Sequence, residues 1–361
     1  MKKLAVLTSG GDSPGMNAAL RAIAKLCAAR GVQVVGVLED YEGLMDARFR
    51  DLTRPTDSGL GADLELDHAG GQGGTLIGSA RSMRFMKPEG RAKAAEVMKA
   101  HGLEGLIVIG GNGSLTGAHA LATEHGVKVI GIPASIDNDI GCSATALGVD
   151  TALNTIIEAT DRISDTARAH KRAFVVEVMG RQCGYLAMGS AIAAAADAVL
   201  YREAGKSEAE IVQSVCEVIK KGFARGKRRV LIIKAEGVQV STTELVKLAE
   251  QKLAGELGYG AEIRATVLGH VVRGGNPTYQ DRLVAGRLGL AAVEALLKGQ
   301  TDEMVAWQPP ISGGTVTQDS SVHRFPLEVV LRETAALIDG TSPVTKKRLQ
   351  LMEHAAGVLP L

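Results

Sequence analysis

Cysteine is scarce in this chain and never clustered. Cys27, Cys142, Cys183 and Cys216 are the four in 361 residues, and no two form a CxxC pair. Neither a zinc site nor a disulfide framework follows from such spacing, and buried thiols in a reducing compartment are the expectation. Charge of one sign is lacking as well. With 41 Lys and Arg against 40 Asp and Glu, the net charge is +1, which gives no bulk electrostatic case for nucleic acid or a membrane surface. No stretch approaches the ~18 uninterrupted apolar residues of a membrane helix. The opening MKKLAVLTSGGDSPG has two lysines, but its apolar run is too short for a secretory signal and leads straight into a glycine turn. A soluble, cytoplasmic protein is expected.

What the chain has in excess is glycine, 44 residues, or about 12% where globular proteins average about 7%. Many of these glycines follow short apolar runs. LAVLTSGG reads as a strand entering a turn, and Met16, Leu20, Ile23 and Cys27 then fall on one face of a helix ended by Gly31. VQVVGVL, LEGLIVIGG and VKVIGIPAS continue the strand series, with a helix over residues 89–101. A second series follows from about residue 150. Asp150 or Thr151 can cap its first helix, and the strands AFVVEVMG, DAVLY, RRVLIIKAEG and EIRATVLGH alternate with helices at about 207–224, 242–257 and 281–298. The length allows two domains. The fold class expected is α/β, as two similar doubly wound lobes with mainly parallel sheets and an active site in the cleft between them. Beyond residue 300, QPPISGGTVTQDSS reads as loop, PLEVVLRETAALID as an amphipathic helix, and VTKKRLQLMEH as the start of another.

Several loops at predicted strand ends carry chemistry. TSGGDSPGMNAA (8–19) and GGNGS (110–114) are glycine turns entering helices, where bare N–H groups and the helix dipole suit a phosphate. The first is neither a Walker A loop nor GxGxxG and alone is equally well a tight connection, while a second glycine turn on the same sheet edge favours the phosphate reading for GGNGS. Asn112 can offer an amide oxygen to a magnesium ion or its waters. GGTLIGSARSMRF adds Arg81 and Arg84, which can neutralise a polyphosphate or merely face solvent. PASIDND (133–139) puts Ser135, Asp137 and Asp139 after the strand VKVIGI. Either aspartate can accept the proton of a sugar hydroxyl, and the alternative is a turn that caps its own backbone. Arg172, Arg181, Arg264, His270 and Arg273 are basic groups from separate loops, and Glu236 follows RRVLIIKA. Arginine forks match phosphate geometry. Together these features point to phosphoryl transfer.

Five segments in order, LTSGGDSPGMNAALRA, GGTLIGSAR, PASIDND, VEVMGRQCGYLA and RATVLGHVVRGGNP, closely resemble the 6-phosphofructokinase family, bacterial and ATP-dependent in type. The resemblance implies that Asp137 accepts the proton of the sugar 1-hydroxyl as it attacks the γ-phosphate of ATP. It implies that Arg181 and the backbone of Gly11 stabilise the transition state, and that Mg2+ is the cofactor. ATP would be bound by Gly11, Tyr41, Arg81, Ser82, Gly111, Asn112, Gly113 and Ser114. Fructose 6-phosphate would be bound by Ser135, Ile136, Asp137, Arg172, Met179, Gly180, Arg181, Glu236, Arg264, His270 and Arg273. In this family Arg172 and Arg264 match arginines that reach in from a neighbouring subunit, implying a homotetramer. The resemblance places the nucleotide lobe at residues 1–147 plus about 272–318. The sugar-phosphate lobe takes 148–271 plus about 319–361.

Gly113 and Ala134 bear on the donor. Pyrophosphate-using relatives carry Asp and Lys at these places, so the small residues here imply ATP. Two departures from the family pattern stand out. Asn112 replaces the aspartate of GGDGS, which removes a carboxylate from the metal site and makes a catalytically weak sugar-phosphate-binding relative one alternative; a pyrophosphate-dependent phosphofructokinase is the other. Arg21, Lys25 and Arg54 match a basic effector cluster, but Ser164 lies where those relatives carry a further arginine. Kinases of nicotinamide nucleotides or lipids also use a GGDG turn, but they lack the VMGR and GHVVRGG segments.

Overall fold

The computed structural model describes residues 1–256, 262–356, 358 and 359. Among them the strands are β1 (Lys3–Ser9), β2 (Gln33–Val37), β3 (Phe49–Asp51), β4 (Thr53–Thr56), β5 (Gly59–Ala62), β6 (Leu106–Gly110), β7 (Val129–Pro133), β8 (Arg172–Val178), β9 (Ala198–Leu200), β10 (Arg229–Ala235), β11 (Glu262–Val267), β12 (Glu303–Trp307), β13 (Thr315–Val316) and β14 (Val322–Pro326). Eight form a sheet in the order β13-β14-β12-β7-β6-β1-β2-β3. Its five central strands are parallel, while β3 at one edge and β14 and β13 at the other run antiparallel. A second sheet, β11-β8-β10-β9, is parallel throughout. β4 and β5 form a separate hairpin.

The central strands are apolar without alternation because helices cover both faces of a parallel sheet. Leu4 to Leu7 in β1 and Leu106 to Ile109 in β6 are all fully buried. The helix Met16–Ala29 presses Met16, Leu20, Ile23 and Cys27 into that core, as the spacing predicts. Gly31 ends it at φ +67°, its N–H donating to the Ala28 carbonyl at 3.0 Å. A side chain there would meet the left-handed penalty that glycine escapes.

The chain divides into two compact units. The first holds residues 1–136, 140–151 and 273–336, and the second holds 137–139, 152–272 and 337–361. The sheets differ in size, eight strands against four. The last return of the chain comes at Leu337 rather than near residue 319, because β14 pairs with β12 and β12 with β7. The stretch read as loop contains β13, and two helices follow at Leu327–Asp339 and Pro343–Ala356. The helix expected to reach about residue 257 ends at Lys252, and residue 257 itself lies outside the described residues. Asp150 and Thr151 lie within the helix Val149–His170 instead of capping it. The carboxylate of Asp281 accepts from the N–H groups of Gly148 and Thr151 there, at 2.9 and 2.8 Å.

Candidate active site

β1, β6 and β7 are neighbours and parallel, so their carboxyl ends lie on one edge of the first unit. The turn after β1 holds Gly10 and Gly11, that after β6 holds Gly111 to Ser114, and that after β7 holds Ala134 to Ile136. Strand pairing continues into the turns, with the Ala134 N–H donating to the Gly110 carbonyl at 2.9 Å. Three of the segments singled out in the sequence therefore meet at one edge, where ligands of open α/β sheets bind.

The turn after β6 opens the helix Asn112–His125, with Gly111 as its N-cap and no side-chain cap. Its first N–H groups are thus left for a ligand or water. A Cβ at Gly113 would meet nothing within 4 Å, and one at Gly111 would come no closer than 3.7 Å, to the Ala134 carbonyl. Asn112 is half-buried at the helix start. Ser114 is buried, and an added Cβ on Gly10 would stand 3.4 Å from its hydroxyl. It packs the two glycine turns against one another. Gly11 lies beneath Arg273: a Cβ there would be 2.5 Å from a guanidinium nitrogen, and that guanidinium donates to the Asp12 carbonyl at 3.3 Å.

Some residues expected at a nucleotide are otherwise engaged. The Tyr41 ring is buried and stacked on Phe85, centroids 3.8 Å apart, and its hydroxyl donates to the Ser114 carbonyl at 2.8 Å. It is covered rather than open to a base. Ser82 donates to Glu42. Arg84 pairs with Glu42 and Asp46 at 2.7 and 3.0 Å, so it is not a spare cation for polyphosphate. Arg81 is exposed and forms no ion pair among the described residues. Ile136 is fully buried and contacts the Gly148 position, so its side chain packs the core. Ala134 is also buried.

Asp40 was not expected at this edge. It adopts φ +64°, a left-handed conformation uncommon outside glycine. Its buried carboxylate accepts from the Ser9 hydroxyl at 2.9 Å and the Tyr41 N–H at 2.7 Å, and also from the backbones of Gly10 and Ala80. Burial outweighs these bonds and pushes its pKa up from 3.8 to about 6. Asp40 thereby joins the turn after β1 to the loop before Arg81. Its sequence signal is faint: an acidic residue directly after the strand β2 and Leu38-Glu39.

In the second unit, β8 lies between β11 and β10, so their carboxyl ends are also neighbours. They carry Met179, Gly180 and Arg181 after β8, Glu236 after β10, and His270 after β11. Gly180 takes φ +116°, and a Cβ on Gly237 would fall 2.1 Å from the Arg181 carbonyl. Only glycine at residue 237 lets the two turns approach so closely. Met179 is buried, Glu236 half-buried, and Arg181 and His270 exposed. At the other end of the sheet, one Glu262 oxygen accepts from Arg172 and from Arg264, both at 2.7 Å. Asp137, with Asn138 and Asp139, also belongs to this unit.

The basic effector cluster is internally matched: Lys25 pairs with Asp67, Arg54 sits 3.4 Å from Asp63, and Arg21 packs against Gly70. Ser164 is buried and accepts from Arg229 at 3.0 Å. All four cysteines are free and buried. Among the described residues, no three His, Cys, Asp or Glu side chains gather into a metal cluster, and no helix is long and apolar enough to cross a membrane.

The family model described as phosphofructokinase matches residues 3–296. The chain belongs to the phosphofructokinase family. It is 44% identical over 308 residues to an ATP-dependent 6-phosphofructokinase of Thermotoga petrophila, covering 85% of this chain and 90% of that one. It is 45% identical over 308 residues to the Brevibacillus brevis protein of the same name, with the same coverage. Among solved structures, the phosphofructokinase of Saccharomyces cerevisiae superposes with a TM-score of 0.79 at 32% identity. That match covers 97% of this chain and 49% of the yeast chain, so this chain spans about half its length. A kinase family of this kind is consistent with a divalent metal cofactor, and the mixed α/β architecture with mostly parallel sheets is the family's own.

Proposed function

We propose that this protein is an ATP-dependent 6-phosphofructokinase, which transfers the γ-phosphate of ATP to the 1-hydroxyl of fructose 6-phosphate. The observation that carries the reading is the convergence of the glycine turns after β1 and β6 with the Ala134–Ile136 turn on one sheet edge, in a chain whose curated relatives bear that name at 44–45% identity. Asp137 is the general base. Its carboxylate takes the 1-hydroxyl proton while that oxygen bonds to the γ-phosphorus and the β,γ-bridging bond breaks, leaving ADP. Arg181 and the Gly11 N–H stabilise charge on the transferring group. Gly111, Gly113 and Ser114 present backbone to the nucleotide phosphates, and Arg81 and Ser82 also bind ATP. Arg172, Met179, Gly180, Glu236, Arg264, His270 and Arg273 hold the sugar phosphate, and Ser135 contacts it or the transferring phosphate.

Magnesium, when bound, neutralises the nucleotide phosphates. Such an ion is held mainly through phosphates and waters with one or two protein ligands, and Asn112 stands at the start of its helix to serve as one of them. The open space at Gly113 and the small Ala134 support ATP over pyrophosphate. A homotetramer supplying Arg172 and Arg264 across an interface is supported by β11, an edge strand with Arg264, Ala265 and Val267 exposed. Edges of this kind are ready to meet another chain. Free buried thiols suit a cytoplasmic location.

The test is phosphorylation of fructose 6-phosphate with ATP or pyrophosphate, with and without magnesium. Wild type should turn over with ATP, Asp137→Ser should lose at least about 100-fold in kcat, and Asn112→Asp should tighten magnesium dependence. Turnover with pyrophosphate alone would overturn the donor, and full activity of Asp137→Ser would overturn the base.

A further inference from the structure

Arg348 lies on the C-terminal helix Pro343–Ala356, beyond the residues that the family model matches. Two of its guanidinium nitrogens donate to the backbone carbonyl of Asn138, each at 3.3 Å. One of them also stands 3.3 Å from the Cys183 sulfur, and the guanidinium lies over the Tyr185 ring, 4.5 Å from its centroid. Asn138 directly follows Asp137, is 1% exposed, and takes φ +50°. Cys183 and Tyr185 directly follow the Arg181 turn. One side chain from the end of the sequence therefore grips both segments to which the proposed chemistry is assigned within the second unit.

The energetics favour this arrangement. Buried backbone carbonyls are matched by donors, and the Cys183 thiol, 4.0 Å from the Asn138 carbonyl, joins Arg348 there. A guanidinium is charged at every working pH and rigid enough to reach two groups at once. The helix that carries it is fixed at its start, where Ser342 is buried and accepts from the Val344 N–H at 3.1 Å, and Thr345 donates to the Leu337 carbonyl at 3.2 Å. Met352 is buried one turn beyond Arg348. The tail is thus built as a support and not as a loose end.

We propose that Arg348 is a positioning residue for the reaction: it sets the backbone of the Asp137–Asp139 loop against the Cys183–Tyr185 turn, so that base and arginine stay in register. This rests on the phosphofructokinase reading above. Small displacements of a reacting group cost rate far more than binding, so the effect should appear in kcat.

Four proteins decide it: wild type, Arg348→Met, Arg348→Lys and Arg348→Ala, each assayed for kcat and both KM values and by hydrogen exchange of peptides spanning residues 137–140 and 181–185. Arg348→Met should lower kcat by about tenfold or more with KM for ATP within about twofold of wild type. Arg348→Lys should recover only part, and ethylguanidinium should restore activity to Arg348→Ala in a saturable way. Both peptides should exchange faster in Arg348→Met while peptides of the first unit stay unchanged. Unaltered kcat in a folded Arg348→Met, or loss that ethylguanidinium does not restore, overturns the proposal. If wild type itself fails to phosphorylate fructose 6-phosphate, the functional reading falls, and the exchange of residues 137–140 still decides whether Arg348 holds that loop.

Discussion

Among the described residues Lys234 is the largest fully buried side chain, 1% exposed near the end of β10. Its cross-strand neighbour on β8 is Glu177, whose Oε2 lies 2.9 Å from the ammonium and also accepts from the Thr242 hydroxyl. The carboxylate is 19% exposed, so the two partners differ in what happens when one is removed. Glu177→Met leaves the ammonium in the core with, among the described residues, the Ala235 carbonyl at 3.4 Å as its remaining acceptor, and uncompensated buried charges of this kind cost about 3–5 kcal/mol. Lys234→Met fills the same volume with apolar atoms and leaves Glu177 to Thr242 and water, at a cost of about 1 kcal/mol or less. The double variant should sit close to wild type, since replacing both ions often costs nothing. Urea unfolding of the four proteins at pH 7 gives the cycle, with a coupling energy of about 3–6 kcal/mol expected from these costs. Lys234→Met as damaging as Glu177→Met would refute the reasoning. A pH arm adds a sign. Burial raises the Glu177 pKa, but the bonds from Thr242 and Lys234 prevail and hold it below 4.5. The pair's contribution is therefore present above about pH 4.5 and lost as pH falls through the lower folded value.

Asp40 should behave in the opposite direction. Its folded pKa of about 6 exceeds the ordinary 3.8, so its contribution is full below 3.8 and is lost as pH rises through 6. Between pH 7 and 4.5, wild type should gain about 2 kcal/mol relative to Asp40→Asn in urea titrations, and a flat difference would contradict the assigned burial. Gly113→Asp enters open space at a helix start and should change stability by no more than about 0.5 kcal/mol. It should raise KM for ATP steeply in steady-state assays, and unchanged ATP kinetics would remove Gly113 from the nucleotide site.

Much of the first unit was legible because local and global signals agree there. A strand buried on both faces is continuously apolar, a glycine turn follows it, and a helical period follows the turn. This made β1, β6, β7 and their loops visible together, and sheet adjacency then put the loops on one edge. β3, β4 and β5 were not visible, being three or four residues each and partly exposed. β14 escaped because its residues His323 and Arg324 read as polar chain, although its pairing with β12 ties residues 322–326 to the large sheet. The expected exchange of lobes near residue 319 failed for that reason. Pairing partners far apart in sequence leave no periodic trace.

The same limit explains which side chains were missed and which were misjudged. Arg84 was credited to a polyphosphate by residue type and Arg54 to an effector cluster by resemblance, yet Arg84 is paired with Glu42 and Asp46, and Arg54 with Asp63. A guanidinium at a strand end is ambiguous until its neighbours are known, and those neighbours lie up to 42 positions away. Lys234 carried the better signal, a lysine in the apolar run VLIIKA that follows Arg229. A strand buried on both faces admits such a residue only with a partner, so the sequence alone demanded an acid on an adjacent strand. VVEV in β8 supplies one acid, Glu177, in register. Arg348 had no such marker, since basic residues on a terminal helix normally face water. Its role rests on a contact across 210 positions, which only the folded chain brings together.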